Sequence, residues 1–368
     1  MLIMRYFTLK TRLLALSLLV AICAAAQPTP AEFAAHPERS AGIYRSYEYL
    51  PGPAAPVPAG YEPFYISHYG RHGSRYHSSE KAYDRPLGVL LQASEAGKLT
   101  PKGQEVLAKV EALAADAYLR YGDLSPRGTA EHRGIAERMY AAWPEVFSTD
   151  GGRVCRVESR STLVPRCILS MAAFNERLKE LNPAITTTRD ASGRYLDYMA
   201  RGNSLVLARK AVAAVADSLS RARLNPDRLV RSLVTDPRAV AEPLELMQDL
   251  YMLASIVQDV SHLGIEPFYD IFTDEELYSL WECENALRYM QMGPSARFGD
   301  PIVADAGALL RNIVETADEV VRGESDLSAS LRFGHDTCIT PLLALLGVEG
   351  ASTRVESLDD VAAVWNAQ

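Results

Sequence analysis

The stretch EPFYISHYGRHGSRYHSS, residues 62–79, decides the fold. Its first half is a short apolar run closed by Gly70, which reads as a buried β-strand. Its second half gathers His68, Arg71, His72, Arg75 and His77 within ten residues. Ligands of open α/β sheets bind at the C-terminal ends of strands, so a strand that runs into this much nitrogen marks a sheet and a site together. Three readings of the loop compete: a metal cage, a cradle for an anion, and a solvated basic turn.

Two further segments repeat the pattern. RVCRVES, from Arg153 to Ser159, reads as a strand and precedes TLVPRCILSMAAFNERL, where Ile168, Met171, Ala172 and Leu178 make a helical stripe. ASLRFG, from Ala329 to Gly334, runs into HDTCITPLLALLG, a helix stopped by Gly347. The middle differs in kind. Leu205, Ala208, Val212, Val215 and Leu219 recur at steps of three and four, as do Met247, Leu250, Tyr251, Ala254 and Val257. Thr273 and Glu276 form a capping box, and Gly293–Pro294 ends that helix. The expected fold is α/β, a mostly parallel central sheet flanked by helices. Residues 61–184 and 323–368 form its core, residues 185–322 an all-helical insertion, and residues 27–60, rich in Pro, Gly and Ala, an extended lead.

Residues 1–26 follow another logic. Arg5, Lys10 and Arg12 precede the apolar run from Leu13 to Cys23, and Ala24 and Ala26 make an A-x-A site before Gln27. This is the pattern of an export signal, too short in its apolar part to span a bilayer, and it predicts a secreted or periplasmic protein. Acylation at Cys23 is disfavoured by the bulky Ile22 before it. Cleavage after Ala26 leaves 35 Lys and Arg against 46 Asp and Glu, a net charge of −11. Nucleic acid and anionic membranes are poor partners for such a surface, so an anionic ligand requires a local basic cluster. Cys155, Cys167, Cys283 and Cys338 remain, with no metal-binding spacing; disulfides and buried thiols are both open to them.

The metal reading fails on pattern, since His68, His72 and His77 lack the i, i+4 spacing of HExxH and any carboxylate in a fixed frame. The solvated turn does not explain two guanidiniums after a buried-type strand and a glycine. An anion cradle does: Arg71 and Arg75 are forked donors, and Gly70 and Gly73 would let backbone N–H groups approach a ligand closely.

RHGSR, from Arg71 to Arg75, resembles the RHGxR signature of the histidine acid phosphatases, the phytase-containing branch of the histidine phosphatase superfamily. VESRSTLVPRCILSMAAF, residues 157–174, resembles the family's second arginine segment, with wording around Arg166 similar to the inositol polyphosphate phosphatases. FGHDT, from Phe333 to Thr337, matches the distal His-Asp dipeptide. Three segments in order over about 270 residues, each at a strand end, carry more than any one motif.

The resemblance implies a phosphomonoesterase that needs no cofactor or metal and acts on a small-molecule phosphate ester. His72 would be the nucleophile, forming a phosphohistidine; Arg71, Arg75 and Arg166 would neutralise phosphoryl oxygens, His335 would add a donor, and Asp336 would protonate the leaving group. Inositol polyphosphates are the expected substrates, with a broad acid phosphatase or a sugar-phosphate phosphatase as the alternative. A phosphomutase, a non-catalytic phosphate receptor and a metallohydrolase are further rivals. His77 stands where the family has proline and is read either as a substrate contact or as a cap on the loop. His68 is read as a packed strand-end residue, and His132 as lying on a solvated helix face. Two departures stand out. His335–Asp336 replaces the His-Ala-Glu of the animal-type enzymes, and the chain ends at Gln368, where relatives continue with another strand-bearing segment, so a C-terminally incomplete core is expected.

Overall fold

The computed structural model of the chain describes residues 28–52, 57–200 and 202–367. The export signal read in residues 1–26 lies outside the described residues. One sheet of four parallel strands has the order β1-β4-β2-β3. Its strands are β1 (Ile66–Arg71), β2 (Arg156–Ser161), β3 (Thr186–Ala191) and β4 (Ala329–Gly334). The strand expected at residues 329–334 is found at those bounds. β4 is buried along its whole length because it lies between β1 and β2. The register sets Arg71 opposite Gly334 and Ser161 opposite Phe333, so three strands end level at one edge of the sheet.

The helices used below are α1 (Pro30–Ala35), α2 (Lys81–Glu95), α3 (Pro101–Ala117), α4 (Pro126–Ala142), α5 (Pro165–Leu181), α6 (Asn203–Arg223), α7 (Pro243–Ile256), α8 (Asp274–Met292), α9 (Gly307–Val321) and α10 (Asp336–Leu345). Proline at the first helical position opens α1, α3, α4, α5 and α7, where its missing N–H costs nothing. Both halves of the Thr273–Glu276 capping box are made at the start of α8, and Gly347, with φ +70°, follows the end of α10.

Two expectations are corrected. The lead is not extended throughout: Thr29 caps α1 by accepting the Glu32 N–H, and a 3-10 helix spans Pro37–Tyr44. The reason is apolar anchoring, since Phe33 is fully buried with its ring 5.1 Å from that of Trp281 on α8; burial of one such side chain stabilises by roughly 1.5–3 kcal/mol. Strand β3 falls in residues read as the start of the helical insertion. It is an edge strand, mostly exposed, with the polar sequence TTTRDA. Backbone pairing with β2 places it there, and no apolar alternation announces it.

The largest apolar core joins α2 and α3 to α7 and the first half of α8, so the helical layer draws on residues 81–117 as well as on the middle of the chain. A second core lies against the sheet, where Phe174 of α5 meets Phe333 of β4 at 5.5 Å. Arg332 of β4 is buried and donates to Asn312 Oδ1 at 2.8 Å, Ser67 Oγ at 3.1 Å and Thr316 Oγ1 at 3.3 Å, tying α9 to two strands. The four cysteines among the described residues are buried free thiols.

Candidate active site

The three segments expected to cooperate do meet at the level edge of the sheet. His72 follows β1, Arg166 begins α5 just past β2, and His335–Asp336 link β4 to α10. The His72 and His335 rings stand 5.5 Å apart at 74°. His335 Nε2 lies 3.7 Å from Cys167 Sγ, and the N-termini of α5 and α10 open into the same space, their positive ends favouring an anion.

His72 is buried, and its Nδ1 lies 2.9 Å from the Gly73 carbonyl oxygen. A carbonyl only accepts, so Nδ1 carries the proton and Nε2 is left with its lone pair. Burial, and then the guanidiniums of Arg71 and Arg75, push the imidazolium form far below its ordinary range, which keeps the ring neutral. Burial and the charge of Arg166 likewise lower His335 to about 4.

The three arginines are packed close enough to oppose one another. Burial and the charge of Arg75 hold Arg166 below its ordinary value. Arg166 Nη1 donates to the Gly122 carbonyl at 3.3 Å, and Arg75 Nη1 to the Tyr76 carbonyl at 2.8 Å, while the Arg75 guanidinium lies 5.4 Å from the Tyr44 ring centroid. The Nε atoms of Arg71, Arg75 and Arg166 are all buried without a hydrogen-bond acceptor. Three guanidiniums that crowd together and each keep an unanswered buried N–H are suited to a multivalent oxyanion.

Asp336 faces this cluster with Oδ2 3.2 Å from Arg71 Nε, while its Oδ1 accepts the Thr337 N–H at 2.8 Å. Burial acts to raise its proton affinity, but Arg71, Arg288 and Arg75 prevail and lower it. Arg288, on α8 and bonded through Nε to Glu284 at 2.7 Å, stands outside every motif read from the sequence. So does Tyr69. Its hydroxyl donates to the Met199 carbonyl at 3.1 Å and accepts the His335 N–H at 3.2 Å, and a Cβ on Gly334 would come within 2.0 Å of it.

Gly73 and His132 stand differently from expectation, and His77 is held by packing. Gly73 does not offer its N–H to a ligand: that N–H donates to Ser170 Oγ at 3.1 Å, and the glycine is required because a Cβ would lie 2.4 Å from the Gly128 carbonyl oxygen. His77 is buried beside the Tyr44 and Tyr83 rings, with Nε2 2.9 Å from the Met252 carbonyl. His132 is buried rather than solvated, its Nε2 3.1 Å from the Arg71 carbonyl and its ring 5.7 Å from Phe333. His68 packs at 6.0 Å from both Phe174 and Phe333, as expected of a strand-end histidine.

A cavity of about 460 Å³ runs along the loop beneath residues 42–50. His68, His132, Glu131 and Asp259 line it together with Arg71 and His72, whereas Arg166, His335 and Asp336 do not. Among the described residues no group of three or more His, Cys, Asp or Glu side chains is placed to hold a metal ion, and no helix is long and apolar enough to cross a membrane.

No protein-family model matches the chain, and no curated protein matches it in sequence. Solved structures do. The multiple inositol polyphosphate phosphatase of Bifidobacterium longum, in its complex with phosphate, superposes with a TM-score of 0.72 at 18% identity, over 89% of this chain and 84% of that one. Its complex with inositol hexasulfate gives 0.68 at 18% identity, over 89% and 86%. The phytase from D. castellii gives 0.59 at 17% identity, over 84% and 68%. At these identities the likeness establishes the fold, and it is the fold of the family that the three motifs resemble.

Proposed function

We propose that this chain is a histidine-type phosphomonoesterase that hydrolyses phosphate esters through a phosphohistidine. The observation that carries the reading is the 2.9 Å contact of His72 Nδ1 with the Gly73 carbonyl, which assigns the proton to Nδ1 and leaves Nε2 bare on a ring under the charge of Arg71, Arg75 and Arg166. A neutral imidazole held in one tautomer is a poised nucleophile. Arg71, Arg75 and Arg166 neutralise the phosphoryl oxygens as Nε2 attacks phosphorus, and preorganised charge of this kind, together with positioning, accounts for most of the catalysis of phosphoryl transfer. The ester oxygen departs with the proton of Asp336. Water then attacks the phosphohistidine, Asp336 takes its proton, and phosphate leaves with Nε2 restored.

Asp336 is ionised in the ligand-free site because of its arginine neighbours. A phosphate dianion set on Arg71 and Arg75 offsets their charge and returns the carboxyl toward its protonated form, so substrate itself arms the acid. Inositol polyphosphates are the favoured substrates, since the fold is shared with an inositol polyphosphate phosphatase and a phytase. A broad acid phosphatase or a sugar-phosphate phosphatase is the alternative. Export by the signal in residues 1–26 completes the reading as a secreted or periplasmic enzyme. The test is phosphate release from a panel of inositol, sugar and aryl phosphates, followed by acid quenching with labelled substrate. A label that is acid-labile and base-stable supports the phosphohistidine, and a panel that yields no phosphate rejects the proposal.

A further inference from the structure

The loop of residues 71–75 is gripped from behind by α4. Ser125, its cap, donates both its N–H, at 2.9 Å, and its hydroxyl, at 3.0 Å, to the Ser74 carbonyl. Gly128 packs so closely that a Cβ on it would lie 2.2 Å from the Ser74 carbonyl oxygen. His132 holds the Arg71 carbonyl on the other side of His72. Between these contacts Glu131 accepts the Ser74 N–H on Oε2 at 2.8 Å and the Ser74 hydroxyl on Oε1 at 2.7 Å. Oε1 also accepts the Tyr47 N–H at 3.2 Å and pairs with Arg127 Nε at 3.5 Å; the Glu131 side chain is only 8% exposed.

Ser74 is the residue between His72–Gly73 and Arg75, so its orientation sets the angle between the imidazole and the second guanidinium. A carboxylate that takes two donors of that one residue restrains the turn in two directions at once. We infer that Glu131 is a positioning residue of the phosphate site, acting through Ser74 to fix the separation of Arg71, His72 and Arg75. The inference rests on the reading of that loop as the phosphate cradle. It places the contribution of α4 in geometry, because displacement of a reacting group by about 1 Å costs on the order of 10²-fold in rate.

The test uses the full chain and inorganic phosphate as the probe. Wild-type protein that neither releases phosphate from esters nor binds inorganic phosphate in isothermal titration removes the functional reading, and this inference with it. Given an active wild type, Glu131→Ala is expected to lose on the order of 10²-fold in kcat and to weaken competitive inhibition by inorganic phosphate. Glu131→Gln should recover most of both losses, since its oxygen still accepts the Ser74 N–H and its amide donates to the Ser74 hydroxyl oxygen, with only the Tyr47 N–H and Arg127 losing their acceptor there. A merely structural role predicts the reverse, a lower melting midpoint with unchanged kcat and phosphate inhibition on the folded protein, and that result overturns the inference. If Glu131→Ala does not fold, Ser74→Ala, which deletes the hydroxyl contact to Glu131 and the one to Ser46 at 3.2 Å, is compared with Ser46→Ala, which deletes the latter and keeps the former: a partial fall in kcat with weaker phosphate inhibition in Ser74→Ala alone supports the inference, and equal values for the two variants overturn it.

Discussion

Asp336 and Arg71 form an ion pair across the mouth of the sheet, Oδ2 to Nε at 3.2 Å, without a hydrogen bond between them. The pair joins the end of β4 to the end of β1, and Arg71, with Arg288 and Arg75, holds the Asp336 carboxyl below its ordinary range. Under the proposed mechanism, catalysis would begin with an exchange of partners at Arg71.

That exchange makes Asp336→Asn discriminating. Asn keeps an oxygen for the Thr337 N–H and so preserves the start of α10, but it cannot give a proton to a leaving group. Hydrolysis of alkyl phosphates such as inositol phosphates should fall by about 10²–10⁴-fold. p-Nitrophenyl phosphate, whose phenolate leaves unprotonated, should fall far less. Equal losses on both substrates remove Asp336 from proton transfer.

His72→Ala should abolish turnover and the base-stable label while retaining affinity for phosphate or vanadate, because the three arginines remain. Isothermal titration with inorganic phosphate checks the second half. Loss of binding together with turnover would assign His72 to the cradle rather than to attack.

Gly73→Ala should be far more damaging than an alanine on an ordinary loop. The new methyl meets the Gly128 backbone rather than a movable side chain, so either the loop or α4 must shift. A destabilisation of about 1–3 kcal/mol is expected from the overpacking, together with a kcat loss on the order of 10²-fold. Denaturant unfolding and steady-state kinetics on the same preparation measure the two effects.

Stability should fall in mild acid. Burial lowers His77 and His132 to about 4. Between pH 6.5 and 4 the unfolded chain binds protons that these folded residues refuse, so folding free energy drops as pH falls, by up to about 1.4 kcal/mol per pH unit for each group. Asp259 works in the opposite sense: burial raises it to about 6, so it gains protons on folding and adds stability as pH falls from 6 towards 4. Burial lowers His68 and His335 to about 4 as well and His72 further still, so the buried histidines outweigh this carboxyl and leave a net loss. Asp259→Asn should steepen the decline between pH 6 and 4, and a decline that flattens instead shows the sign of that residue's contribution to be wrong.

Elements with a strong local signal were legible. β4 is a short apolar run between polar flanks, α8 has its capping box, and α10 has Gly347, so each could be bounded from its own residues. The ends of β1, β2 and β4 carry the residues expected to react, because three motifs in order imply one edge of a sheet. What escaped depends on tertiary contact. β3 is polar and held by pairing, Phe33 folds the lead onto Trp281, and His132 reads as a solvated position until Phe333 covers it. Arg288 acts on Asp336 through its charge from α8, at a spacing no motif records. Gly73 serves a close approach, as its place in the loop suggests, but the approach is to Gly128 rather than to a ligand.

β4 lies between β1 and β2, yet its pairing joins Ile66 to Ala329. Until residues 329–334 arrive, the inner edges of β1 and β2 have no partner, and no local contact can close the gap. Loop-closure entropy on that scale makes the central pairing intrinsically slow and leaves two unpaired edges exposed while it is awaited. Assembly of the candidate site is therefore expected to wait on that pairing: a chain cut short before β4 would leave His72, just after β1, and Arg166, at the start of α5, with no strand between their elements.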